Sequence, residues 1–150
     1  MDDPYLPYCD VYALCAERSL RLARELLDSW APNREWSADN EDVLPSLIEH
    51  PTAEQTLYWR SRRDDHIEHV MLGFTCDGHM IAGISASFQE LRDHAQLRHE
   101  LAQLLVRLAD AVGGRFGYVA FSEPPVEDGG FIAECSRREV ALIDGQLRRF

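Results

Sequence analysis

Lysine is absent from this 150-residue chain: all fifteen of its basic residues are arginine. Arginine pairs through a planar fork rather than as a point charge, which favours bidentate contacts, although GC-rich codon usage produces the same bias. Long apolar runs are also missing. None approaches the ~20 residues that a membrane-spanning helix needs. The first residues, Met1, Asp2, Asp3 and Pro4, lack the basic and apolar regions of a secretory signal, so the expected compartment is the cytoplasm. The four cysteines, Cys9, Cys15, Cys76 and Cys135, show neither CxxC spacing nor a zinc-finger histidine pattern. They read as free thiols.

Motifs that carry chemistry are equally sparse. There is no GxSxG and no paired-carboxylate motif, and Gly113, Gly114 and Gly117 stand after a helix pattern and before a strand pattern. A phosphate cradle needs the reverse order, strand, glycines, then helix N-terminus. These glycines read as a helix cap followed by a close backbone approach. One cluster has metal-ligand chemistry: Asp64, Asp65, His66, Glu68 and His69. On a helix, His66 and His69 would share a face and could hold zinc or iron, but in a strand an i, i+3 pair points to opposite sides. The cluster therefore reads as an acidic loop entering a strand, with no metal or other cofactor expected. His94 and His99 lie five apart in a helical pattern, off one face, beside Asp93, Arg98 and Glu100. Nothing links them to a cysteine, and an enzyme is not expected.

What the chain has in excess is negative charge. Asp and Glu number 26 against 15 arginines, for a net charge of -11. Such a field repels phosphate backbones and anionic lipid and speeds encounter with a basic partner. Nucleic acid and membrane surfaces are therefore poor ligands. The hydrophobic fraction of 45% and charged fraction of 27% are those of an ordinary globular protein, and the length suits one domain over residues 1–150.

Periodicity gives the element plan. Residues 2–9, with Pro4 and Pro7 among Tyr5, Leu6 and Tyr8, form an extended lead-in. Asp10 then stands as the N-cap of an amphipathic helix over residues 11–30, carried by Val11, Leu14, Cys15, Leu22, Leu26 and Trp30 and ended by Pro32. Residues 33–55 form a long connection with a helical turn at 43–48. A strand follows at 56–61. Residues 69–76 and 79–87 flank Asp77-Gly78, the signature of a two-residue type I′ turn, so a central hairpin is expected in which Cys76 faces His79, Phe74 faces Ile81 and Leu72 faces Gly83. One face then carries Val70, Leu72, Phe74 and Ile81, the other Met71, Met80, Ala82 and Ile84. A long helix over 89–112 follows, with Leu91, Ala95, Leu97, Leu101, Leu104, Leu105, Leu108 and Val112 as its stripe, stopped by Gly113-Gly114. A strand at 116–122, a turn at Glu123-Pro124-Pro125, an acidic loop at 127–130 and a closing hairpin around Asp144-Gly145 complete an α+β plan: an antiparallel sheet with a central hairpin packed by the long helix and an N-terminal helix.

The remaining polar and aromatic residues describe a surface. The carboxylates Glu35, Asp39, Glu41 and Asp42, then Asp64 and Asp65, then Glu123, Glu127 and Asp128 fall in the least regular stretches, where binding residues concentrate. Tyr5, Tyr8, Tyr12, Trp30, Trp36, Trp59 and Phe150 lie near segment ends, and Trp36, between Glu35 and Asp39, is expected to be the least buried. The layout of N-terminal helix, aromatic strand (Leu57, Tyr58, Trp59), Asp77-Gly78 hairpin, long helix ending at Gly113-Gly114 and Phe116-Gly117-Tyr118-Val119 strand resembles the small acidic immunity proteins of bacterial polymorphic and contact-delivered toxin systems. The resemblance implies a protein that binds and neutralises one cognate toxin, such as a nuclease, with acidic residues matched to a basic surface. The rival readings are a small-ligand-binding α+β domain or secretion chaperone, and after them an enzyme with a scattered site.

Overall fold

Residues 9–32, 38–61, 67–86, 94–121 and 130–149 are described by the computed structural model. The elements run β1 (Cys9–Leu14), α1 (Leu20–Trp30), α2 (Ala38–Asp42), α3 (Leu44–Glu49), β2 (Gln55–Arg60), β3 (Ile67–Phe74), β4 (Met80–Ala86), α4 (His94–Val112), β5 (Gly117–Phe121), α5 (Phe131–Cys135), β6 (Val140–Ile143) and β7 (Gln146–Arg149). The seven strands form one antiparallel sheet in the order β2-β3-β4-β1-β5-β6-β7, which makes this an α+β fold. The segment β1-α1-β3-β4-α4-β5 is a split β-α-β arrangement. β2 extends one edge and the β6/β7 hairpin the other.

The middle strand is β1, and it overturns the expected helix over residues 11–30. Only the second part, α1, is helical. Val11, Leu14 and Cys15 do recur at helical spacing, but Cys9, Val11 and Ala13 face one layer while Asp10 and Tyr12 face the other, and all five are buried. A strand covered on both faces loses the alternation that would reveal it. Asp10 is accordingly no N-cap. That role belongs to Ser19, whose extended backbone (φ -135°, ψ 131°) and hydroxyl, accepting from the Leu22 N–H at 3.3 Å, start α1 one turn before the first buried leucine.

The β3/β4 hairpin sits between β2 and β1, and its register is one residue away from the expected one. Phe74 pairs with Met80, Leu72 with Ala82 and Val70 with Ile84. The loop has three residues rather than two: the Gly78 N–H bonds to the Thr75 carbonyl at 3.1 Å, Gly78 adopts φ 89°, and the Thr75 N–H bonds to the His79 carbonyl at 3.1 Å. This is a type I turn closed by a left-handed glycine. Thr75 fixes it, because its hydroxyl accepts from the His79 N–H and donates to Asp77, a bond that holds the Asp77 carboxyl below its usual range. A one-residue shift moves every side chain of a strand to the other face. Met80, Ala82 and Ile84 therefore join Val70, Leu72 and Phe74, while Ile81 joins Met71. The closing hairpin does have the expected two-residue turn, with Asp144 at φ 49° and Gly145 at φ 84°.

The main core lies between one sheet face and α1, α3 and α4. Leu101, Leu105, Leu108 and Val112 of α4 meet Leu26, Leu27, Leu44, Trp59 and Leu72 there. Of the expected α4 stripe, Ala95 is exposed, Leu97 is half-buried and Leu91 lies outside the described residues. Leu104 is 9% exposed, against 0% for Leu105 and Leu108. We expect Leu104→Ala to cost about 2 kcal/mol in chemical denaturation, the low end for a core leucine; a loss under about 0.5 kcal/mol would contradict its placement. The second face carries Tyr12, Met71, Ile81, Tyr118, Phe131, Cys135 and Ala141. There Tyr118 meets Tyr12 edge-on at 5.6 Å and Phe131 at 5.0 Å.

Arg18 ties the layers together. Its guanidinium donates to the carbonyls of Leu47, His50, Pro51, Ala53 and Thr75 at 2.7–3.2 Å and lies 4.9 Å from the Phe74 ring centre. Leu47 and His50 are at the C-terminal end of α3, where a cation satisfies orphaned carbonyls and complements the helix dipole.

Candidate partner-binding surface

The edge strand β2 alternates: Leu57 and Trp59 enter the main core, while Tyr58 is 51% exposed and Arg60 is also exposed. An edge strand presents unpaired backbone groups, which proteins commonly cover. Here α2 takes one of them: the Asn40 side-chain amide donates to the Tyr58 carbonyl at 2.8 Å. That bond holds a short acidic helix against the strand. Asp42 is exposed, Glu41 is half-buried, and Tyr58, on the strand that α2 contacts, is exposed.

Of the carboxylates read as binding residues, Asp39, Glu41 and Asp42 thus fall together on α2. Glu35, Asp64, Asp65, Glu123, Glu127 and Asp128 lie outside the described residues, as does Trp36. Tyr58 was legible only as a strand residue. Its exposure follows from β2 being an edge, which no local pattern announces.

Charge divides along the sheet. The described residues between 9 and 86, which make β1–β4, α1–α3 and their connections, carry eleven carboxylates and four arginines. Those between 94 and 149, which make α4, α5, β5–β7 and their connections, carry five carboxylates and seven arginines. Many charges in the second group are matched locally: Arg98 with Glu139 at 3.0 Å, Arg115 with Asp144 at 2.8 Å, and Arg137 and Arg138 with Glu134 at 2.7 and 3.0 Å. The Arg137 pair, reinforced by Arg138, holds the Glu134 carboxyl below its usual range.

A polar row crosses the second face. Register aligns Arg60, His69, Ser85 and Asp10 on four adjacent strands. The Ser85 hydroxyl donates to the Asp10 carboxylate at 2.7 Å, and Asp10 is 7% exposed. In a nucleophilic triad the histidine takes the serine proton and the acid orients the histidine. This row runs histidine, serine, acid, with the serine proton directed at the acid, so it is a structural bridge between β4 and β1. Asp10 also contributes, after burial itself, to raising the Cys9 thiol to about 11.

The described residues contain no group of three or more His, Cys, Asp or Glu placed to hold a metal. His66, Asp64 and Asp65 fall outside them, and the register shift between Ile67 and His69 makes Glu68 an inserted residue. All four cysteines are free thiols. Burial raises Cys15 to about 12 and Cys135 to about 11, whereas Cys76 in the β3/β4 turn is exposed, its thiol held up by a hydrogen bond to Glu54. Titration of the native protein with a thiol-specific disulfide reagent should therefore give one slowly reacting equivalent, and four after denaturation, because the thiolate is the reacting form. Two or more equivalents in the native state would contradict the burial of Cys9, Cys15 and Cys135. No helix among the described residues is long and apolar enough to cross a membrane.

No protein-family model matches the chain, and no curated protein or solved structure matches it.

Proposed function

We propose that this protein is an inhibitor of the immunity type, which binds a basic cognate protein, a toxin domain such as a nuclease, through the acidic α2/β2 side of its sheet. The observation that carries the reading is the charge division: among the described residues of the β1–β4 half of the chain there are eleven carboxylates against four arginines, with Asp42 of α2 and Tyr58 of the adjoining edge strand both exposed. A field of one sign focused on one face steers an oppositely charged partner and rejects like-charged ones. A half-exposed tyrosine supplies the apolar anchor that charge alone does not.

The direct test is calorimetric titration of the purified chain with the product of the neighbouring gene. We expect a stoichiometric complex, with Tyr58→Ala and Trp36→Ala each weakening it at least about tenfold, as anchor residues do. Absence of heat and of co-elution with that protein would move the small-ligand reading to first place.

A further inference from the structure

The two edges of the sheet are treated differently. At β2 the outward carbonyl of Tyr58 is taken by Asn40 of α2. At β7 no strand or helix among the described residues covers the outer edge. The two-residue Asp144-Gly145 turn makes Ile143 and Gln146 the hydrogen-bonded pair that closes the hairpin, and Ala141 and Arg148 the next. Leu147 and Arg149 alternate with these, so their backbone N–H and C=O groups point away from β6.

This edge is held in place rather than frayed. The Arg148 guanidinium donates to the carbonyls of Cys135, Ser136 and Arg138 at 3.2, 2.7 and 3.1 Å, clamping β7 to the end of α5. On the opposite face Leu147, 39% exposed, borders an open apolar groove of about 430 Å³ whose far wall is Ala102 and Val106 of α4, with His99, Gln103 and Arg107 along it.

We propose that β7 is the pairing edge of a symmetric dimer, in which a second copy of this chain adds its own β7 antiparallel to the first. Three observations select that occupant. A two-fold axis through Leu147 pairs its N–H and C=O with those of the second Leu147, so the donors and acceptors of one edge are complementary to themselves. It sets the two Leu147 side chains next to each other on the groove side and narrows the exposed apolar surface of both. Electrostatics point the same way. Two chains of charge -11 repel, and the β5–β7 side, with seven arginines against five carboxylates among its described residues, is where they approach with least penalty. Closure is the third. A two-fold contact uses the same edge of both copies, and on the other edge Asn40 of α2 already takes the Tyr58 carbonyl, so pairing at β7 ends at two copies instead of propagating into a filament. The contact is one short strand and a groove, so the dimer is concentration-dependent. It leaves the acidic α2/β2 side free and stands independently of the partner reading above.

The test is sedimentation equilibrium of the full chain over a concentration series. The expected average mass rises from 17.1 kDa toward twice that value. Leu147→Asp sets like charges opposite each other across the axis and should weaken association by about tenfold or more. Leu147→Pro removes an outward N–H without touching the β6 ladder, and should do the same with an unchanged circular dichroism spectrum. As a positive arm, Leu147→Cys in a Cys76→Ser background should form an interchain disulfide on mild oxidation, since hydrogen-bonded antiparallel partners lie at about 5.5 Å between Cα atoms. A single-chain mass at every concentration would overturn the proposal. So would a dimer that survives both Leu147→Asp and Leu147→Pro.

Discussion

Gly117→Ala should destabilise the protein by about 3 kcal/mol or more, or prevent folding, an overpacking effect at the upper end of its range. Gly117 lies where β5 meets the middle strand beneath α4. A Cβ there would sit 2.5 Å from the Tyr12 carbonyl oxygen and 2.7 Å from Leu105 Cδ1. The leucine tip can turn aside, but the carbonyl is backbone of β1, which is locked on both sides by β4 and β5. Relief would require separating strands in the centre of the sheet. Gly73→Ala is the matched control. Its nearest neighbour would be Met71 Cε at 3.6 Å, an ordinary contact, so its effect should stay within about 1 kcal/mol. Equal denaturation midpoints for the two variants would show that β1 and β5 are not packed as described.

Replacing Arg18 should rank with that effect. Arg18→Met keeps much of the stem but leaves the carbonyls of Leu47, His50, Pro51, Ala53 and Thr75 without their shared donor. Hydrogen bonds to a charged group contribute about 1.5–3 kcal/mol each when buried, less where water reaches them. Several of these are at the surface, so the total loss should be about 3 kcal/mol. Arg18→Lys should restore little, because a point charge with three donors cannot span five carbonyls arranged around a planar fork. Thermal and urea denaturation of the two variants would check this. Full rescue by lysine would mean that charge near α3, and not the fork, is what matters.

These two positions also mark what could be read in advance. The expected glycine approach after α4 is real, and the α4 core leucines, the β2 strand and the Asp144-Gly145 turn follow from periodicity and turn chemistry that act within a few residues. β1 was not legible for the opposite reason: its side chains are buried on both faces by elements distant in sequence, and Val11, Leu14 and Cys15 mimic a helix turn. The β3/β4 register depended on Thr75 adding hydrogen bonds to a loop that Asp77-Gly78 alone would have made shorter. α5 escaped notice because five residues carry no period. It is visible only once Phe131 and Cys135 are seen to cover Tyr118. Arg18 falls inside the stretch expected to be the first helix, and its five carbonyl partners come from three other segments. On the candidate surface, the acidic run Asp39, Glu41 and Asp42 was legible, and Tyr58 was not.

The central claim is that the acidic side of the sheet steers a basic partner, and its most direct measurement is the association rate with that partner by stopped-flow fluorescence at low and moderate salt. For the wild type the rate should fall as salt screens the field, and in Glu41→Arg/Asp42→Arg it should fall at low salt and lose part of its salt dependence, while dissociation changes little. An association rate that is indifferent both to salt and to the double reversal would contradict the account.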